Sequence, residues 1–150
     1  MTTTAPNIAT PLPAALLPLI RASEGRRLRA YLCPAGRWSI GYGHTGADVA
    51  AGMIWTDAQV DAALAADAAA AVRDVQRLCP RLTAPDHIAA IADFVYNFGA
   101  GRLASSALRA RLNARDLAGA RAELARWCHS AGEVLPGLVA RRAAEAALLR

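Results

Sequence analysis

The 150-residue sequence lacks any apolar run of the roughly 18 residues that a membrane-spanning helix needs. Its most apolar N-terminal stretch, residues 11–20, is interrupted by Pro13 and Pro18 and follows no basic segment. This pattern argues against both a membrane span and a secretory signal. We therefore expect no stable insertion into a membrane.

Cysteine is scarce and lysine is absent. The three cysteines are widely spaced, at Cys33, Cys79 and Cys128. Such spacing fits neither a disulfide framework nor a zinc site, so we expect no metal and a reducing compartment. All 17 basic residues are Arg. An apolar fraction of 55% excludes a disordered chain.

The sequence also lacks long runs of one charge. The net charge of +5 and the pI of about 9.9 favour an anionic partner, although a solvated basic surface explains them equally well. No block of five like charges appears, which argues against a nucleic-acid arm. The glycines at positions 41, 43 and 46 do not form a nucleotide-binding loop. We therefore expect no nucleic acid and no organic cofactor.

The N-terminal third of the chain predicts one helix followed by a small sheet. Residues 1–11 have no periodicity and are expected to be a flexible lead-in. Leu16, Leu17 and Ile20 have helical spacing, which predicts a helix over residues 14–23. Short β-prone runs around the turn signal at residues 34–36 predict a hairpin or short sheet within 26–46.

The chain after Gly52 is predicted to be helical to its end. Thr56 is a good N-cap and Pro80 ends the first of these helices. Four further helices are expected over residues 85–98, 105–113, from 116 through Trp127, and from the Pro-Gly pair at 136–137 to the C-terminus. A small β element between an N-terminal helix and a helix bundle is an α+β fold.

The segment from residue 24 to 46 contains the candidate chemistry. Glu24 lies where the first helix ends, and partial burial there would keep it protonated as a general acid requires, although a solvated helix-end carboxylate is the simpler interpretation. Cys33 is a candidate nucleophile without any recognised local signature. His44 has no second histidine or carboxylate at ligand spacing, so a structural role is favoured.

Several spaced motifs carry a resemblance to a known family. The chain resembles the phage-type lysozymes, or endolysins, whose active-site pattern is a Glu, eight residues, an Asp or Cys, five residues and a Thr. Here Glu24 is followed at these spacings by Cys33 and Ser39. The resemblance extends over residues 14–148 and is strongest at Trp38–His44, at Phe94–Gly99, and at Leu135–Val139 with Arg141, Arg142 and Glu145.

The resemblance implies a lysozyme-like fold with an active-site cleft between two lobes. It implies one domain over residues 12–150, with a β lobe at about 26–55 and a helical lobe formed by 56–150 and the N-terminal helix. It also implies a monomer that hydrolyses the β-1,4 bond between N-acetylmuramic acid and N-acetylglucosamine in peptidoglycan. The implied enzyme would accumulate in the host cytoplasm and reach the periplasmic wall through a membrane lesion.

The resemblance also assigns roles to six residues. Glu24 would protonate the glycosidic oxygen, Cys33 would replace the second carboxylate, and Ser39 would hold the attacking water. The implied substrate-binding residues are His44, Asn97 and Arg126. A regulatory disulfide through Cys33 is a further hypothesis.

Three other functions remain open at this point. A lytic transglycosylase would use Glu24 alone, and the Cys33 substitution favours it slightly. A catalytically inactive peptidoglycan-binding module would keep the fold without the chemistry. A helical nucleic-acid binder would need a clustered basic face.

Overall fold

The structure of the protein, a computed structural model, describes residues 11–150. The lead-in expected for residues 1–11 therefore lies outside the described residues except for its last position. Helix α1 spans Leu16–Ser23, close to the predicted helix, and buries Leu16 and Ile20 completely. Glu24 follows as its C-cap with an extended backbone, so the chain changes direction at this residue.

The predicted sheet is confirmed as three antiparallel strands in the order β1, β2, β3. Strand β1 spans Arg27–Leu32, β2 spans Trp38–Gly41 and β3 spans His44–Thr45. The register places Tyr31 opposite Ser39. Residues 33–37 form the turn between β1 and β2, and Gly36 there has a φ of 77°.

Two long helices confirm the predicted start and stop signals. Helix α2 spans Asp57–Leu78, and Thr56 forms a capping box with Gln59 at its N-terminus. Helix α3 spans Pro85–Phe98 and ends at Gly99, whose φ of 88° is accessible mainly to glycine.

The remaining elements depart from the sequence predictions in three places. Helix α4 was not predicted, since two glycines mark its sequence as a break, but Leu103 is fully buried and anchors it. The helix beginning after Asp116 ends at Leu124, so the prediction that it includes Trp127 is wrong. Trp127 instead packs its ring edge-on against Phe94 at 5.1 Å. The strands β4 and β5 that follow were also not predicted. The elements are α4 (Ala100–Ala104), α5 (Ala107–Asn113), α6 (Leu117–Leu124), β4 (His129–Ser130), β5 (Glu133–Val134) and α7 (Pro136–Leu148).

Two hydrophobic clusters organise the fold. The larger one surrounds α3, in which every residue from Ala89 to Val95 is buried, and it includes residues of α1, α2, α5 and α6. The smaller one lies in the sheet region and contains Ala30, Ile40 and Val49. None of the helices in residues 11–150 has both the length and the hydropathy to cross a bilayer.

Candidate active site

Glu24 is held at the junction of α1, the sheet and α7. Its side chain is 25% exposed, and its Oε1 accepts a hydrogen bond of 2.6 Å from Nη1 of Arg141. A Cβ atom placed on Gly43 would lie 3.6 Å from Oε2 of Glu24. One carboxyl oxygen thus contacts α7, and the other faces the turn between β2 and β3.

Arg141 connects Glu24 to a second, fully buried carboxylate. Asp93 on α3 accepts two hydrogen bonds of 2.8 Å, one from Nε and one from Nη2 of Arg141. Asp93 is 0% exposed and Arg141 4% exposed. This bidentate geometry is the strong form of the arginine–carboxylate pair. Asp93 therefore compensates the guanidinium charge of Arg141, and this pair does not require Glu24.

Cys33 and Ser39 lie together on the β1–β2 hairpin. The backbone N–H of Cys33 donates to the carbonyl of Arg37 at 2.8 Å, and Ser39 is buried opposite Tyr31. A backbone hydrogen bond from Arg37 is the main reason that the pKa of the Cys33 thiol lies below its ordinary value. Burial opposes this effect, whereas hydrogen bonds from Ala35 and Ser39 and the charge of Arg37 lower the pKa further.

His44 has two carboxylate partners, although the sequence indicated no carboxylate at ligand spacing from it. Its Nδ1 lies 2.7 Å from Oδ2 of Asp67 on α2, and its Nε2 lies 3.2 Å from Oδ2 of Asp48. Burial lowers the pKa of the imidazole, but the hydrogen bonds and charges of Asp67 and Asp48 outweigh burial and raise it overall. Asp67 is 23 residues from His44, so sequence spacing did not reveal it, whereas Asp48 is only four residues away.

A cavity of about 650 Å³ lies beside Glu24. Asn97 lines it together with Glu24 and Arg141, and the Oδ1 of Asn97 is buried without a hydrogen-bond partner within residues 11–150. A second cavity of about 260 Å³ is lined by Gly43, His44 and Tyr96 among others. Asn97 therefore lines this cavity with a buried acceptor that no described group uses.

Arg126 does not lie among the residues that line either cavity. Its side chain is 76% exposed, and Nη1 lies 3.6 Å from Oε2 of Glu123. None of the three cysteines lines either cavity. Cys79 is buried in the core, where burial raises its thiol pKa to about 11, and the Sγ of Cys128 lies 3.6 Å from Nδ1 of His129.

All three cysteines are free thiols in this structure. Within residues 11–150, no group of three or more His, Cys, Asp or Glu side chains is arranged to hold a metal ion.

Residues 21–145 match the family described as phage lysozyme. The chain belongs to the phage lysozyme family. It is 41% identical over 138 residues to an endolysin of Acyrthosiphon pisum secondary endosymbiont phage 1, a match that covers 88% of this chain and 92% of the relative. It is 35% identical over 123 residues to the SAR-endolysin of Bacteriophage PS34, covering 81% and 73%.

The fold of this phage lysozyme matches solved lysozyme-like structures. The muramidase domain of SpmX from Asticaccaulis excentricus superimposes with a TM-score of 0.84 at 31% identity, covering 93% of this chain and 97% of that domain. The predicted α+β lysozyme-like fold is confirmed. The family and these relatives identify a lysozyme-type glycoside hydrolase that acts on peptidoglycan of the bacterial cell wall.

Proposed function

We propose that this phage lysozyme hydrolyses the β-1,4 bond between N-acetylmuramic acid and N-acetylglucosamine, with Glu24 as the general acid. The observation that carries the proposal is the placement of Glu24 between Arg141 and the β2–β3 turn, beside the 650 Å³ cavity. A protonated Glu24 donates its proton to the glycosidic oxygen, which leaves as a sugar hydroxyl.

The pairing of Arg141 with Asp93 supports this acid role. A guanidinium paired with Glu24 alone would hold the carboxylate in its ionised form, which cannot donate a proton. Because Asp93 accepts two hydrogen bonds from the same guanidinium, the Arg141–Asp93 pair is neutral without Glu24. Arg141 then orients Glu24 both before and after proton transfer. Once Glu24 has given its proton to the leaving sugar, its carboxylate accepts the hydrogen bond from Arg141 at full strength.

Cys33 is proposed to supply the second catalytic group. As a thiolate it stabilises the positive charge that develops at the anomeric carbon, and its lowered pKa favours that form. Ser39 is proposed to orient the water, since its hydroxyl both donates and accepts. Two routes are open to the thiolate. If it removes a proton from the attacking water, the new reducing end has the inverted anomeric configuration, and if it attacks the sugar directly, the configuration is retained. Analysis of the anomer that is released distinguishes the two routes.

The binding roles of the remaining residues are also proposals. Asn97 is proposed to bind an N–H of the substrate through its unpartnered Oδ1. His44 already contacts carboxylates through both ring nitrogens, so we propose that it supports the cleft by fixing β3 to α2. Arg126 is proposed to contact the anionic wall from the protein surface.

Digestion of purified peptidoglycan tests the reaction directly. Wild type is expected to clear the suspension and to release fragments with reducing N-acetylmuramic acid ends, as mass spectrometry would show. Glu24→Gln is expected to abolish clearing while melting and wall binding are retained. Anhydro ends would identify a lytic transglycosylase instead, and normal clearing by Glu24→Gln would show that another group is the acid.

We also propose that the enzyme accumulates in the host cytoplasm and reaches the wall through a membrane lesion. The net charge of +5 would then attract it to the anionic wall. Fractionation of cells that express the full chain tests this proposal. Activity found in the periplasm of cells with an intact inner membrane would contradict it.

A further inference from the structure

The segment from residue 25 to 47 contains four arginines and no acidic side chain. Arg26 is paired with Asp57 at the start of α2. The other three form no ion pair within residues 11–150, and they are Arg27, Arg29 and Arg37. The same segment carries the candidate catalytic groups of the hairpin, yet the proposed reaction gives no role to Arg27 or Arg29.

Arg27 lies on the same face of the sheet as Ser39. The register places Tyr31 directly opposite Ser39, and side chains of directly opposite residues share a face. The register shifts between Arg27 and Tyr31, so strand alternation alone does not place Arg27. Its contact does, because Cζ of Arg27 lies over the ring of Tyr31, 4.6 Å from the ring centroid. Tyr31 is therefore beside both the guanidinium group and the proposed water-orienting hydroxyl.

The ring of Tyr31 holds the guanidinium group of Arg27 at the protein surface. Tyr31 is half-buried and Arg27 is exposed, so the ring is anchored in the sheet while the charge over it reaches solvent. The negative face of an aromatic ring attracts such a cation. The contact leaves the N–H groups of Arg27 without a side-chain hydrogen bond or an ion pair within residues 11–150. They are therefore available to an anionic ligand.

A carboxylate is the ligand that best matches this position. A planar guanidinium group donates two parallel hydrogen bonds to a carboxylate, and such bonds are roughly twice as strong as those between neutral groups. The hydroxyl groups of a glycan are neutral, whereas the peptide chains that peptidoglycan carries end in carboxylates. A glycan chain that reaches Ser39 brings these peptides to the face on which Arg27 lies.

We propose that Arg27, held over the ring of Tyr31, binds a peptide carboxylate of peptidoglycan and thereby favours peptide-bearing glycan over neutral glycan. Arg27 is then a specificity-determining residue, and Tyr31 positions it. The proposal rests on the proposed function in one respect, the passage of the glycan along the face that carries Ser39.

Binding to two polymers tests this role without turnover. One is purified peptidoglycan, and the other is the same peptidoglycan after its carboxyl groups have been converted into neutral primary amides. The peptides remain in the second polymer, but their negative charge is gone. All proteins carry Glu24→Gln, which is expected to prevent cleavage, and cosedimentation measures the dissociation constant for each polymer.

Adding Arg27→Gln to this parent protein is expected to weaken binding to intact peptidoglycan by about tenfold, since a charged hydrogen-bonding partner is lost. Binding to the amidated polymer is expected to equal that of the parent. The preference for intact over amidated polymer therefore falls by the same factor.

Three further variants serve as controls. Arg29→Gln removes the same charge from the same strand, but Arg29 lies opposite Ile54 and makes no cation–π contact within residues 11–150. It is expected to keep the preference of the parent. Tyr31→Phe retains the ring and is expected to keep the preference as well. Tyr31→Leu removes the ring and is expected to lower the preference by about threefold.

Two results would overturn the proposal. One is an Arg27→Gln protein whose binding weakens equally on intact and amidated polymer. The other is an equal loss of preference in Arg27→Gln and Arg29→Gln, which would indicate general attraction between charges. Melting temperatures show whether each variant folds, and if Tyr31→Leu does not fold, the comparison of the two arginine variants decides. Failure of wild type to clear peptidoglycan would contradict the proposed function and leave these binding measurements unaffected.

Discussion

Cys33 is the residue proposed to stand where the reaction would otherwise use a second carboxylate. A thiol ionises less readily than a carboxyl group, so it needs a local environment that favours the anion. The hairpin turn provides this through backbone groups of Arg37 and Ala35 and through the hydroxyl of Ser39, all of which lower the pKa. These groups lie within six residues of Cys33, so the environment is a local property of the turn.

We predict that Cys33→Asp retains clearing and that Cys33→Ser loses it by about 100-fold or more, because a serine hydroxyl cannot ionise in the relevant pH range. The acid limb of the pH profile is expected to move downward in Cys33→Asp, since a carboxyl group ionises below a thiol. Turbidity loss of purified peptidoglycan across pH measures both effects. A Cys33→Ser enzyme with the wild-type rate would exclude an essential thiolate.

At the scale of elements, the turn between β2 and β3 brings the sheet against Glu24. Gly43 has a φ of 77°, and its missing side chain leaves the space beside Oε2 of Glu24 open. Gly36 in the β1–β2 turn has the same φ of 77°, but a Cβ placed there meets no atom within 4 Å. The two glycines therefore share a backbone requirement, but only Gly43 has another side chain beside the position of a Cβ atom.

We predict that Gly43→Ala lowers the rate of clearing by about tenfold or more, since an added methyl group changes how Glu24 meets the substrate. Gly36→Ala is the matched control. Both variants are expected to lose about 1 kcal/mol of unfolding free energy from the positive φ, as measured by urea denaturation. Equal rates of peptidoglycan clearing for the two variants would show that the reaction does not need the space beside Gly43.

At the scale of the whole molecule, side chains connect the sheet to the helices on both sides of Gly43. The hydroxyl of Tyr96 on α3 donates to the carbonyl of Tyr42 at 2.6 Å. His44 bonds Asp67 on α2. These two contacts tie the end of the sheet to α2 and α3.

The raised pKa of His44 predicts how stability depends on pH. A folded-state pKa above the unfolded value means that the pairs with Asp67 and Asp48 stabilise fully below the unfolded pKa of about 6.5. This stabilisation is lost as the pH rises through the higher folded-state pKa.

We predict that the difference in unfolding free energy between wild type and His44→Gln reaches about 2 kcal/mol at acidic pH and shrinks as the pH rises. Urea denaturation at several pH values measures it. Asp67→Asn is expected to give a similar pH dependence, whereas Asp48→Asn is expected to have a smaller effect because Asp48 is largely exposed. If the difference in unfolding free energy between wild type and His44→Gln grew as the pH rose, it would contradict a raised pKa of His44 in the folded protein.

Local sequence signals determined most of the element order and part of the site. Thr56 and Gly99 marked helix ends because capping and positive φ depend on single residues. The short helix α4 was not predicted because burial of Leu103, rather than local propensity, anchors it, and the exposed two-residue strands β4 and β5 were not predicted either. The resemblance to the phage-type lysozymes, and not the residues alone, indicated Glu24, Cys33 and Ser39 as the candidate catalytic groups.

Only the tertiary structure decided what surrounds these groups. Arg141 is 117 residues from Glu24 and 48 residues from Asp93, and Asp67 is 23 residues from His44. Hydrogen bonds between such distant positions leave no periodic pattern in a sequence, because they depend on how helices pack. The sequence by itself supplied an acid, a thiol and a hydroxyl in order, and the packing of α3 and α7 decided which charges hold the acid in place.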